Sequence, residues 1–228
     1  MSENNAAQPN IQHHSKFLVL LSNFVSWVFH PVFMPTIVSI ILYYLTPNQF
    51  AGVSKNIATQ LLGVVILNTF FFPLFATFLM KRLGFISSIK MPTMKDRIMP
   101  LMAIMIFYFW AYQVMKNFGT QVTIPEGTLY IFQIFFLGNF FGLIGVFLVN
   151  IFAKISMHTA AAGGAIGILI VLALIGKVNL TLIIIVALLV AGVIGTARMI
   201  LGAHKQLEIW LGYALGIIAQ LIAYWMWS

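Results

Sequence analysis

Long uninterrupted runs of apolar residues dominate the pattern along this chain. Seven segments stay apolar on every helical face over roughly the 20 residues needed to cross about 30 Å of hydrocarbon. Only helices and closed barrels satisfy the backbone in lipid, and these runs lack the alternation of barrel strands. We therefore predict an all-α, polytopic membrane helix bundle with about seven (six to seven) transmembrane helices. The predicted segments are residues 17–46, 58–80, 98–116, 128–152, 159–176, 179–197 and 207–227.

The first segment follows a polar stretch and contains two prolines. Residues 1–15 are polar, and we expect a disordered N-terminal tail there. Residues 16–228 then form a single integral membrane domain. Pro31 and Pro35 interrupt the first segment in "HPVFMP", which predicts either a kinked span or a short interfacial helix followed by a span.

Small residues recur at helical spacing in three of the segments, in "GNFFG", "AAAGGAIG" and "GYALG". Small side chains let membrane helices approach closely, so we expect the fourth, fifth and seventh segments to pack together in the bundle interior.

Composition supports a membrane protein and narrows its partners. The chain has 228 residues, of which 61% are hydrophobic, against about 45–50% in a soluble domain. Its formal charge of +8 comes from 12 Lys and Arg residues against four acidic ones. No dense basic tract or aromatic-interleaved patch accompanies that charge, which argues against nucleic-acid binding. The chain has no cysteine, so disulfides and thiolate chemistry are excluded.

Polar chemistry gathers on one side of the predicted bundle. With seven crossings, the N-terminus shares a face with three loops, and that face carries nine of the 12 basic residues. These three loops, together with the starts of the segments that follow them, contain the polar residues that could form a site. They hold Lys90 and Arg97 in "KMPTMKDRIMP", Ser156 and His158 in "KISMHTAAAGG", and Arg198, His204 and Glu208 in "ARMILGAHKQLE".

These residue types suit the transfer of a phosphoryl group. Three cations can hold an oxyanion with several negative charges. His204 and Glu208 are four residues apart on a helix, so the carboxylate can hold one imidazole nitrogen and leave the other free to react. A histidine oriented in this way is a nucleophile, and a second histidine, His158, can act as a general acid.

The order and spacing of these residues resemble the three signature motifs of the type 2 phosphatidic acid phosphatases. That superfamily also includes glucose-6-phosphatase and the vanadium haloperoxidases. The resemblance covers residues 90–216 and implies a phosphatidic-acid-phosphatase-like core. It implies that His204 attacks phosphorus to form a phosphohistidine, that Glu208 orients it, and that His158 protonates the leaving alcohol. The implied phosphate-binding residues are Lys90, Arg97, Ser156 and Arg198.

Two functions remain open at this stage. The first is a membrane phosphatase that hydrolyses a lipid phosphate or polyprenyl diphosphate, for which the resemblance implies neither a metal nor another cofactor. The second is a catalytically degenerate member that binds anionic lipid or scaffolds partners, because Met157, Ala197 and Glu208 depart from the glycine, serine and aspartate usual in the motifs. A transporter is disfavoured, since the charges lie at span ends rather than along a pathway.

The expected location is the inner membrane of a bacterium, and two arguments about orientation oppose each other. The basic excess predicts that the motif-bearing face is cytoplasmic. The resemblance favours the outer side, where many bacterial members of the superfamily work.

Overall fold

The computed structural model describes residues 14–47, 53–88, 94–121, 129–176 and 179–227, and the regular secondary structure within these ranges is entirely helical. The described residues form nine α-helices. They are α1 (Lys16–Val28), α2 (Met34–Leu45), α3 (Lys55–Ile66), α4 (Phe72–Arg82), α5 (Met94–Gln121), α6 (Tyr130–Phe152), α7 (Met157–Gly176), α8 (Thr181–Ile200) and α9 (Gln206–Trp227). A single π-helical turn, Leu67–Phe71, joins α3 to α4.

Within the part of the chain that the structure describes, six helices are long and apolar enough to cross a membrane, which indicates an integral membrane protein. The continuous helix Lys55–Arg82 is the first of them, and α5 to α9 supply the other five. They correspond to the second through seventh predicted segments. The predicted tail lies outside the described residues except for His14 and Ser15, and the Ser15 hydroxyl accepts the Leu18 N–H to cap α1.

The first predicted span, residues 17–46, is instead two short helices. At about 1.5 Å per residue, the 13 residues of α1 and the 12 residues of α2 reach only about 20 Å each. Pro31 follows the end of α1, and Pro35 lies in the first turn of α2, where a missing N–H costs nothing. The prolines therefore divide this apolar run, so residues 17–46 are not one long span, and the six long spans of the described residues lie within the predicted six to seven.

The π-helical turn has a similar cause. Pro73 has no N–H to donate to the carbonyl of Thr69, so the regular ladder is interrupted there. The Phe72 N–H bonds to the Leu67 carbonyl five residues back instead. The helix continues across the interruption and remains a 28-residue span.

Close contact between α7 and α9 defines the centre of the bundle. A Cβ atom added to Gly167 would lie 3.0 Å from the Ile217 Cα, and one added to Gly163 would lie 2.9 Å from the Tyr213 Cα. The close packing expected from "AAAGGAIG" and "GYALG" is thus present. This contact matters for the position of the site because α7 and α9 both begin at the same end of the bundle.

Candidate active site

A histidine–glutamate pair lies where the chain passes from α8 to α9. Gly202 has a φ of +60°, and the N–H groups of Gly202 and Ala203 bond to the carbonyls of Met199 and Arg198. These bonds form a Schellman cap, which ends α8 and reverses the chain. His204 follows that cap immediately, and its side chain is directed back to the bundle.

The His204 Nδ1–H donates to Oε2 of Glu208 over 2.7 Å. Because a carboxylate only accepts hydrogen bonds, Nδ1 carries the proton and Nε2 holds the lone pair. Only 4% of the His204 side chain and 18% of the Glu208 side chain are exposed. The four-residue spacing predicted this pairing, and it fixes both the tautomer and the orientation of the ring.

Burial lowers the pKa of His204 below its usual value of 6.5. The hydrogen bond that His204 donates to Glu208 opposes that shift, while the positive charges of Arg198 and Lys154 add to it. The net effect leaves the imidazole neutral at neutral pH, so its Nε2 lone pair is free to act as a nucleophile.

Three hydrogen bonds fasten the loop before α7 to its surroundings. The Lys154 ammonium donates to the Ala203 carbonyl at 2.7 Å, next to His204. The Ser156 N–H donates to the Glu208 carbonyl at 3.3 Å. Arg97, in the first turn of α5, donates through Nη1 to the Ile155 carbonyl at 3.4 Å. The starts of α5, α7 and α9 therefore meet at one point.

Ser156 lies within this meeting point but does not face open space. It is fully buried, and its hydroxyl accepts the Thr159 N–H at 3.4 Å. Its position is that of an N-cap for α7, which orients the first turn carrying His158.

Two guanidinium groups converge on the same region. Arg97 is 8% exposed and interacts electrostatically with Glu208. Arg198, in the last turn of α8, is close enough to Arg97 for the two positive charges to repel each other. The Nε of Arg198 is buried and makes no hydrogen bond to any described residue. The structure thus brings Arg97, Arg198, His204 and Glu208 together, while Lys90 lies outside the described residues.

His158 completes the group and connects it to α1. Its Nε2–H donates to the Ser26 carbonyl at 3.1 Å, and Arg198 Nη1 donates to the Ser26 hydroxyl at 3.2 Å. The His158 ring also contacts that of His30 edge to face, with 5.3 Å between centroids. The end of α1 therefore covers the cluster.

The sequence pattern alone did not place Ser26, His30 or Lys154 at this site. A signal for the first of these exists in the sequence. Ser22 and Ser26 lie four residues apart in the mostly apolar α1, so they share one face, and His30 follows four residues later, just beyond the end of the helix. Ser22 and Ser26 are buried, whereas Phe17, Leu20 and other large apolar side chains of α1 are exposed.

The described residues contain no group of three or more His, Asp or Glu side chains placed to hold a metal ion. No protein-family model matches this chain, and no curated protein or solved structure matches it significantly.

Proposed function

We propose that this protein is an integral-membrane phosphatase that hydrolyses a lipid phosphate or a polyprenyl diphosphate through a phosphohistidine. The observation that carries the proposal is the His204–Glu208 hydrogen bond, set beside Arg97 and Arg198 at the end of a membrane bundle. Neutral imidazole, an orienting carboxylate and nearby guanidinium groups are the parts that phosphoryl transfer to histidine requires.

In the first step, Nε2 of His204 attacks phosphorus, and the bond from phosphorus to the leaving oxygen breaks. The leaving alkoxide or phosphate takes a proton from His158. Arg97 and Arg198 hold the phosphoryl oxygens, a role we extend to Lys90 from the motif. In the second step, a water oxygen bonds to phosphorus, the P–N bond breaks, and the proton lost by water returns to His158.

Access to this site requires α1 to move. The side chains of Arg97, His158 and His204 are all less than one-tenth exposed. His158 and Arg198 also donate to Ser26, so their donors become available to a phosphoryl oxygen when the end of α1 shifts. We assign Ser156 to holding the start of α7, because its hydroxyl and its N–H already have partners within the protein.

A second candidate function is non-catalytic binding of anionic lipid. The last carbonyls of a helix lack intrahelical partners, and cations stabilise that end of the helix dipole. His158 and Arg198 satisfy this end of α1 through Ser26, which is a structural role independent of chemistry. Met157 directly precedes His158, and Ala197 directly precedes Arg198. The superfamily that the motifs resemble usually has glycine and serine at these two positions.

Phosphate release from purified protein separates the two functions. The protein would be incubated with phosphatidate, lysophosphatidate and a polyprenyl diphosphate in the presence of a chelator. We expect release that falls more than about 10³-fold in His204→Ala, as for the loss of an enzyme nucleophile. His14→Ala is the matched control, because His14 lies before α1 and outside the site.

A trapping experiment tests the intermediate. Rapid acid-free denaturation after mixing with labelled substrate should leave an acid-labile, base-stable phosphoryl group on the wild type and on His14→Ala, and none on His204→Ala. Headgroup-selective lipid binding with no release from any substrate would support the second function and refute the first.

A further inference from the structure

An apolar groove of about 400 Å³ lies beside the cluster, between the α1–α2 corner and the π-helical turn. Its walls are Trp27 from α1, Phe33 and Ile37 from the start of α2, and Ile66 and Phe70 from the facing span. This volume falls within the range of about 300–1,000 Å³ found for small-molecule sites.

Aromatic rings connect the groove, by way of His30, to the buried His158. His158 contacts His30 at 5.3 Å, and His30 contacts Phe33 edge to face at 6.3 Å. Phe33 then stacks on Phe70 at 5.3 Å and meets Trp27 at 6.0 Å. One end of the groove therefore lies against the polar cluster.

The other end of the groove lies at the depth of hydrocarbon. Ile66 and Phe70 are near the middle of the 28-residue apolar span Lys55–Arg82. A molecule that fills both places has an anionic group at the cluster and an apolar chain running toward the bilayer centre. The cationic cluster thus suits the anionic headgroup of an amphiphile, and the apolar groove suits its hydrocarbon chain.

We propose that the groove holds the hydrocarbon tail of a lipid phosphate whose headgroup binds at Arg97 and Arg198. This inference rests on the proposed function for its headgroup site. It adds that the protein selects a long-chain substrate, and that Ile66 and Trp27 contact the chain.

Filling the groove tests tail binding through chain length. Ile66→Trp places an indole in the groove, and Leu189→Trp puts the same indole on an exposed position of α8. For Ile66→Trp we expect KM for a long-chain phosphatidate to rise about tenfold, the loss for about two methylene groups no longer buried. KM for a short-chain, water-soluble phosphate should change less than about twofold, because such a substrate has no tail in the groove and therefore loses no binding contact there.

Fluorescence of Trp27 gives a readout that does not depend on catalysis. In nanodiscs, brominated phosphatidate should quench the wild type more than brominated phosphatidylcholine at the same mole fraction. That headgroup preference should disappear in Trp27→Phe, which retains the other four tryptophans, and shrink in Ile66→Trp. Equal quenching by the two lipids would overturn the groove proposal.

The two proposals fail separately. Selective quenching without phosphate release supports the groove and refutes the phosphatase. Phosphate release with the same chain-length dependence in Ile66→Trp and the wild type refutes the groove and leaves the phosphatase standing. Leu189→Trp should behave as the wild type in both assays, and a chain-length effect in Leu189→Trp would likewise count against the groove.

Discussion

Gly216 offers a direct test of how the candidate active site depends on the contact between α7 and α9. A Cβ atom added there would collide with the Ala160 carbonyl oxygen and lie 2.5 Å from the Gly164 nitrogen and 2.9 Å from the Gly163 carbonyl carbon. All three are backbone atoms, so no side chain can rotate away. Since carbon atoms prefer about 3.5–4.0 Å, Gly216→Ala must separate the helices locally by roughly 0.6 Å or more.

Such overpacking costs about 1–3 kcal/mol. At about 2–4 °C per kcal/mol for a chain of this size, we expect Tm to fall by roughly 2–12 °C. Phosphate release should fall as well, because α7 carries His158 and α9 carries Glu208. Thermal unfolding of the purified protein in detergent measures the first effect, and the phosphatidate assay measures the second.

Gly192→Ala is the matched control. Gly192 lies within α8 with nothing within 4 Å of its added Cβ, and alanine is the better helix former by about 1 kcal/mol. Its Tm should equal or exceed that of the wild type. A Tm for Gly216→Ala indistinguishable from that of Gly192→Ala would refute the argument that backbone contact sets the spacing of these helices.

Two further predictions concern the state of His204 and the movement of α1. Protonation removes the lone pair of His204, so kcat/KM should decline as pH falls through a pKa that burial holds below 6.5. Glu208→Gln removes the carboxylate charge that raises this pKa and should move the acid limb to lower pH, whereas Lys154→Gln should move it to higher pH; shifts in the same direction would contradict the assignment. Val25 packs against the cluster that contains Ile194, and the chain has no cysteine, so in a Val25→Cys, Ile194→Cys variant any link between α1 and α8 forms through the two introduced thiols. Cross-linking should stop phosphate release and cleavage of the link should restore it, with both single-cysteine variants unaffected; full activity in the cross-linked protein would show that α1 need not move.

Apolar length and polar spacing along the chain were enough to predict most of the bundle and part of the site. Runs of about 20 apolar residues have no stable arrangement except a spanning helix, so six long helices were foreseeable. The His204–Glu208 pair was foreseeable too, because a spacing of four is a local property of one helix. The division at Pro31 could be anticipated only as one of two alternatives.

Tertiary packing decided what local pattern could not. The pattern within α1 itself does not show what Ser26 contacts. Its contacts with His158 and Arg198 depend on the packing of α1 against α8. Lys154 follows α6 and resembles a loop charge that sets topology, yet its bond to the Ala203 carbonyl places it beside His204. Both contacts join residues far apart in sequence, which no periodicity within one segment encodes.

Charge at the cluster supports anion binding under either proposed function. Arg97, Lys154 and Arg198 contribute three positive charges and Glu208 contributes one negative charge, so with neutral His204 the group carries +2. Burying guanidinium groups away from water is costly when positive charges outnumber negative ones, as they do here. A bound phosphate lowers that cost because it supplies negative charge. What charge alone does not explain is the Glu208 hydrogen bond to Nδ1 of His204, since an anion binder has no need for a nitrogen lone pair held in one direction. That bond is the feature that favours catalysis over binding, and the His204→Ala comparison is therefore the experiment that decides between them.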